Sequence, residues 1–114
     1  MSDATALPTS GPQDYEAAAE LFGVLSTPIR LRIIGALCEG QEKNVTQLLQ
    51  EIKVSQPNMS QQLNVLYRAG VVDKRRDGAQ IYYRIADDTV VRVCKAVCAQ
   101  MMDREEQQRG GGAG

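Results

Sequence analysis

Cysteine is the side chain with which this sequence could do chemistry. The 114 residues include three cysteines and no histidine, so Ser–His and Cys–His catalysis and imidazole-based metal sites are excluded. Cys94 and Cys98 are four residues apart, and on a helix their sulfurs would project from one face, about 6 Å apart along the axis. Two thiolates at this spacing can chelate a soft ion, and Cys38 could add a third sulfur for an As(III)-type site.

The same three thiols allow two other interpretations. A disulfide within one helical turn is strained, because the Cα–Cβ bonds of Cys94 and Cys98 run parallel, so an oxidative or persulfide bridge forms more easily between Cys38 and one of that pair. Cysteine is also among the most buried residue types, so all three could serve packing alone. We favour a switch driven by reactive sulfur or an oxidant, with a soft metalloid site and simple packing as alternatives.

Composition places these thiols in a small protein of a reducing compartment. An odd cysteine count without framework spacing is typical of free thiols. No secretory segment is recognisable and the apolar runs are far shorter than a bilayer needs, so we expect a cytoplasmic protein with no membrane partner. Apolar residues make up 43% of the chain, with no Trp and one Phe, which predicts one domain with an aliphatic core that gains from dimerisation.

A second set of residues, from 55 to 70, has the pattern of a helix that reads DNA. Met59, Leu63 and Leu66 fall at i, i+4 and i+7 and define one buried face. Ser55 can cap the start of this helix. The remaining face is rich in amides and hydroxyls rather than carboxylates, and Gln and Asn pair with adenine edges in a major groove. The stretch therefore predicts a recognition helix.

Four further helices are needed to position these residues. Thr27-Pro28 is typical of a helix start, and Asn44 with Gln47 has the spacing of a capping box. The third helix is joined to the recognition helix by only Lys53 and Val54, which predicts a helix-turn-helix. The four helices that accompany the recognition helix are predicted at 14–25, 28–38, 45 to about 52, and from Asp87 or Asp88 to about 106.

After Gly70 the pattern changes to that of strands. Residues 71–76 and 79–85 alternate with period two and are separated by Asp77-Gly78, a strong hairpin signal. We call this predicted hairpin the wing. The segment from Lys53 to Arg84 carries six cations and two anions, a net charge of +4, so the rest of the chain, whose total is −1, carries −5. Such a basic patch is the electrostatic footprint of a nucleic-acid-binding surface.

The side chains that we expect to contact DNA lie on the recognition helix and the wing. They are Ser55, Gln56, Asn58, Ser60, Gln61, Arg68, Lys74, Arg75 and Arg76. The last helix carries an apolar stripe of Val90, Val93, Val97 and Met101 for which the chain offers no obvious cover, so we assign it, with the first helix, to a two-fold homodimer interface. Two recognition helices about 34 Å apart would read an inverted-repeat operator in double-stranded DNA.

The predicted fold is thus mainly α with a β-hairpin, a homodimeric winged helix-turn-helix of order α-α-α-α-β-β-α. Residues 14–106 form its DNA-binding and dimerisation domain, and the polar or glycine-rich segments 1–13 and 107–114 are expected to be disordered tails. We expect no enzymatic activity and no cofactor. A winged-helix module that binds protein instead of DNA remains an alternative with the same fold.

Several segments resemble the ArsR/SmtB family of bacterial winged-helix repressors. They are STPIRLRII at 26–34, VSQPNMSQQL at 54–63, LYRAGVV at 66–72, and RRDG at 75–78 with YYR at 82–84. The resemblance implies a homodimer that represses transcription and releases DNA when an inducer acts on it. The Cys-x-Cys pair of the family's arsenic and cadmium sensors is absent from the matching residues 42–46. Cys38 and Cys98 are similar in placement, within about one turn, to the cysteines of its sulfide and polysulfide sensors.

Overall fold

The computed structural model describes residues 7–113 and shows a winged helix-turn-helix. Its three-stranded antiparallel sheet has the order β1-β3-β2. In chain order the elements are α1 (Pro12–Val24), α2 (Pro28–Leu37), β1 (Lys43–Asn44), α3 (Val45–Glu51), α4 (Gln56–Arg68), β2 (Val72–Asp77), β3 (Gln80–Ile85) and α5 (Asp88–Ala113).

The predicted helix caps are confirmed in the structure. The side chain of Thr27 accepts a hydrogen bond from the Arg30 amide, which starts α2. Asn44 and Gln47 form the reciprocal capping box that starts α3, with both bonds 2.8 Å long. Ser55 accepts from an amide in the first turn of α4. Because these short polar side chains satisfy amides that the helix itself leaves free, α2, α3 and α4 begin where the sequence predicts.

The core is aliphatic and is centred on α2 and α4. Met59, Leu63 and Leu66 are fully buried, as the spacing within α4 predicts. They pack in one cluster with apolar residues of the other elements, among them Ile33, Leu37, Leu48, Val71 and Val72. The buried face of α4 therefore fixes the helix against the domain and leaves its polar face at the surface.

The order of elements differs from the prediction by one strand. Lys43 and Asn44 form β1, which pairs with Tyr83 and Tyr82 of β3, so the observed order is α-α-β-α-α-β-β-α. The sequence signal at Asn44 was assigned only to a helix cap. Asn44 in fact serves both elements, because its backbone is extended, as a cap residue requires, and so can also pair with a strand.

The hairpin turn lies one residue further along than predicted. Asp77 pairs with Gln80, so the two loop residues are Gly78 and Ala79. Gly78 has a φ of 65°, whereas no positive φ occurs at Ala79. A left-handed residue at the first loop position alone is the pattern of a type II′ turn, which takes glycine there, whereas a type I′ turn needs both loop residues left-handed.

Both terminal helices extend beyond their predicted bounds. Helix α1 begins at Pro12 rather than at residue 14, and α5 continues to Ala113 instead of ending near residue 106. At the other end, residues 1–6 of the predicted tail lie outside the described residues. Thr9 and Ser10 donate hydrogen bonds to the Asp14 carboxylate in the first turn of α1.

The helices within residues 7–113 include none with the length and apolar character that a membrane span requires.

Candidate DNA-binding surface and cysteine cavity

The polar face of α4 is presented to solvent. Gln56, Ser60, Gln61 and Arg68 are exposed, as predicted for residues that contact DNA. Ser55 is also exposed, although its hydroxyl oxygen is used as the helix cap. The exposed amides and hydroxyls lie on a helix whose opposite face is buried, which gives these side chains a rigid support.

The wing approaches the C-terminal end of α4. The Lys74 ammonium lies 4.4 Å from the centre of the Tyr67 ring, a cation–π contact between β2 and α4. Strand alternation places Lys74 and Arg76 on the same face of the hairpin as the buried Val72. Two of the three predicted wing cations therefore lie on the side of the hairpin that packs toward α4. Tyr67, which is 40% exposed, is not among the residues predicted to form this surface, because its contact with Lys74 depends on how the hairpin packs against α4.

Arg75 lies on the other face of the hairpin and already has a partner. Its Nε and Nη2 atoms each donate to a different oxygen of the Glu42 carboxylate, at 2.8 Å. Its guanidinium also lies 5.0 Å from the centre of the Tyr82 ring. The hydrogen bond from Arg75 lowers the pKa of the Glu42 carboxyl below its ordinary value. Among the described residues Arg76 has no ion pair, so the two neighbouring arginines differ in how free they are to meet a phosphate.

The three cysteines line one apolar cavity between α2 and α5. Its volume is about 220 Å³, and its wall includes Leu31 and Val91 as well as the thiols. All three cysteines are free. A larger, more open cleft of about 730 Å³ lies between α1 and α4, but no cysteine lines it. The cavity thus brings together all three thiols, although Cys38 is 56 residues or more away from the other two in sequence.

The three thiols differ in environment. Cys38 is half-buried at the end of α2, and its thiol donates to the Gly35 carbonyl at 3.0 Å. Cys94 is half-buried on α5, where burial and then the neighbouring Cys98 thiolate raise its pKa above the ordinary value. Cys98 is exposed. Because the thiolate is the reactive form, Cys94 is the poorest nucleophile of the pair on α5 at neutral pH.

The predicted metalloid ligand set is not assembled within the protomer. Among residues 7–113, no group of three or more cysteine or carboxylate side chains is arranged to hold a metal ion. The three sulfurs share a cavity wall without converging on one point. A three-sulfur site would therefore require α2 and α5 to move relative to each other.

Large apolar side chains remain exposed along α1 and α5. Phe22 is 60% exposed, Val97 54% and Met101 44%. The predicted stripe needs one correction, because Val90 is only 1% exposed and packs into the protomer's own core. The start of α5 therefore holds the helix on the domain, and the apolar residues from Val97 onward are those left without cover.

Comparison with known proteins places the chain in a family. Residues 27–74, from the cap of α2 into β2, match the model of the bacterial regulatory protein, arsR family. The biofilm growth-associated repressor of Agrobacterium fabrum is 41% identical over 88 residues, which are 77% of this chain and 74% of that protein.

Two solved structures are similar over most of the chain. The antimony-specific transcriptional repressor AntR is 26% identical, with a TM-score of 0.79 over 90% of this chain and 93% of that one. The homodimeric winged helix-turn-helix DNA-binding domain of Mb0332 from Mycobacterium bovis is 26% identical, with a TM-score of 0.70 over 86% and 92% of the two chains. With the recognition helix, the wing and these relatives in view, the chain belongs to the arsR family of bacterial transcriptional regulators.

Proposed function

We propose that this protein is a homodimeric repressor whose binding to an inverted-repeat operator is released by thiol chemistry at Cys38, Cys94 and Cys98. One observation carries the proposal: all the thiols of the chain line a single apolar cavity, which joins α2 to α5 and lies away from the polar face of α4. A sensor needs its reactive groups together and separate from the surface that they control.

The DNA-binding part of the proposal is supported by the exposed polar face of α4 and by the cations of the wing. Gln56 and Gln61 are exposed on α4 and are the proposed readers of base edges in a major groove, and Lys74 and Arg76 are the proposed contacts to the backbone. Family membership supports the same surface, because the matched residues span the helix-turn-helix. The relative from Agrobacterium is a repressor, which favours repression over activation.

A second copy of the chain is the proposed cover for the exposed apolar residues of α1 and α5. Phe22 and Val97 line a further apolar cavity of about 190 Å³, which Cys94 and Cys98 also line. The related Mb0332 domain is homodimeric. A dimer formed here would lie directly beside the cysteines, so a chemical change at the thiols could alter the spacing of the two recognition helices.

The favoured chemistry is formation of a sulfur bridge between α2 and α5. An oxidant removes two electrons and two protons as one S–S bond forms between Cys38 and a thiol of α5. With a polysulfide, a thiolate first attacks an end sulfur, forms a persulfide and releases a polysulfide one sulfur shorter. The second thiolate then attacks the inner sulfur of the persulfide, which forms the S–S bond and releases sulfide. The exposed Cys98 is the proposed first site of attack, because the raised pKa of Cys94 leaves less thiolate there. Since α2 also packs on α4 in the core, a bridge that pulls on α2 would reach the recognition helix.

A soft metalloid is the second candidate inducer. The structural neighbour AntR is antimony-specific, and three sulfurs suit a trigonal soft ion.

One experiment tests both candidate inducers. It is mass spectrometry of the protein after exposure to As(III), polysulfide or peroxide, paired with a measurement of its release from a duplex that the wild type selects from a random pool. Polysulfide or peroxide should add a bridge and release DNA. Release that survives in both Cys38→Ser and Cys98→Ser would overturn the bridge, and a lack of response to As(III) would then exclude the metalloid.

A further inference from the structure

A chain of three side chains runs from α2 to the start of the recognition helix. The Arg30 guanidinium donates through Nε to Gln62 Oε1 at 2.8 Å, and Gln62 Nε2 donates to Asn58 Oδ1 at 3.0 Å. All three side chains are half-buried. The sequence gives no sign of the bond between Arg30 and Gln62, because it joins residues 32 apart.

Arg30 is itself held in place from the other side. Its Nη1 donates to the Val24 carbonyl at 2.8 Å. Val24 is the last residue of α1, a helix with no basic residue in its last turn. A cation that bonds a terminal carbonyl satisfies an acceptor that the helix leaves free and complements the negative end of the helix dipole. The guanidinium is therefore a fixed end of the chain.

The fixed end determines the direction of every bond that follows. A guanidinium has donors only, so the Gln62 atom that faces it must be the oxygen. The Gln62 amino group then faces Asn58, and the Asn58 atom that meets it must again be the oxygen. The amino group of Asn58 is therefore turned away from Gln62. Asn58 is the third residue of α4, in the N-terminal part of the helix that meets base edges in helix-turn-helix proteins.

We propose that Arg30 and Gln62 are positioning residues that set the hydrogen-bonding polarity of the recognition helix at Asn58. They present the Asn58 amino group, a donor, to an acceptor on the duplex, either a base-edge atom or a phosphate oxygen. The proposal rests on the placement of α4 against DNA proposed above. Without the relay, an asparagine amide can turn over and offer its oxygen instead.

The test inverts the relay without removing it. Glutamate at position 62 still accepts from Arg30 but cannot donate, so Asn58 must turn its amino group inward and present its oxygen to DNA. On the duplex that the wild type selects, Gln62→Glu should weaken binding about tenfold or more, the scale of one base contact. The added charge is controlled by making the same substitution in an Asn58→Ala background, where only the general repulsion remains and the loss should be equal on selected and random duplexes.

The outcomes separate the relay from the surface on which it acts. An equal loss from Gln62→Glu with and without Asn58 would overturn the relay, because the charge alone would then explain it. If Asn58→Ala and Gln61→Ala both leave binding unchanged, the placement of α4 against DNA fails instead. A shifted base preference in Asn58→Ala identifies a base acceptor, and a uniform loss identifies a phosphate.

The part assigned to Arg30 has its own test. Arg30→Lys keeps a group that can only donate and should keep the wild-type affinity for the selected duplex, whereas Arg30→Met frees Gln62 to turn over and should lower that affinity. An unchanged affinity in the methionine variant would overturn this part. Thermal unfolding of each variant shows whether the loss of the Val24 bond also lowers stability.

Discussion

Replacing Glu42 by glutamine should strengthen DNA binding, because it frees Arg75 in the wing. The Glu42 carboxylate accepts hydrogen bonds from Nε and Nη2 of Arg75, each 2.8 Å long. The neutral amide of glutamine cannot form this ion pair with two hydrogen bonds. Arg75 is adjacent in sequence to Lys74 and Arg76, the proposed backbone contacts of the wing, so it could then reach a phosphate. The bond lowers the pKa of Glu42, so the carboxylate stays charged at every pH where glutamate is ordinarily ionised, and a change of pH in that range does not release the arginine.

The size of the effect follows from counterion release. Each phosphate contact adds about 0.9 to the slope of log affinity against log salt, and so about 1.8 for the two copies in a dimer. Between about 200 and 50 mM salt, the Glu42→Gln dimer should gain about tenfold more affinity than the wild type gains. Fluorescence anisotropy of a labelled duplex, titrated across that range, measures the slope.

The chain offers a matched control. Glu51 forms an ion pair with Lys43, so Glu51→Gln makes the same change in net charge but frees a cation outside the wing. A slope for Glu42→Gln no steeper than that for Glu51→Gln would refute the reasoning. It would equally be refuted if the gain persisted after Arg75→Ala was added to Glu42→Gln, since the freed arginine could not then be its source.

Three further predictions concern the recognition helix, the thiols and the dimer. Gln61→Ala should reduce the difference in binding free energy between selected and random duplexes by about 1–3 kcal/mol. Equal losses of affinity for both duplexes in competition assays would show that Gln61 does not read bases. Iodoacetamide should alkylate Cys94 more slowly than Cys98 near neutral pH, because the raised pKa of Cys94 keeps its thiol protonated. The difference should shrink as the pH rises past the ordinary thiol pKa. Peptide mapping measures both alkylation rates, and a ratio of the two rates that is the same at all pH values would contradict this. Val97→Asp should shift the protein toward monomer in analytical ultracentrifugation, because it puts a charge in the proposed apolar interface, and an unchanged dimer would place the interface elsewhere.

The features predicted correctly from sequence are those that depend on neighbouring residues. The capping box of Asn44 with Gln47 and the buried stripe of Met59 and Leu63 each involve residues within one or two turns of one helix. Spacing along the chain determines which of these side chains meet, so no knowledge of the tertiary fold is needed.

The features that were missed join residues that are distant in sequence. Glu42 and Arg75 are 33 residues apart, and Arg30 and Gln62 are 32 apart. Charged and polar side chains of this kind are individually unremarkable in a sequence, because which partner each one finds depends on how the elements pack. The difference between Arg75 and Arg76 as phosphate contacts, and the polarity of the Asn58 amide, could only come from the structure.

Asn44 connects the wing to the helix-turn-helix. Its backbone pairs with Tyr82 of β3, within the wing, while its side chain closes the first turn of the helix that precedes α4. Relative motion of the wing and the helix-turn-helix would have to break the contacts of Asn44 with one of them. We therefore expect the two to move as one rigid unit. An operator that fits poorly must then be bent or twisted to match the protein, and the flexibility of its base steps would become part of what is recognised.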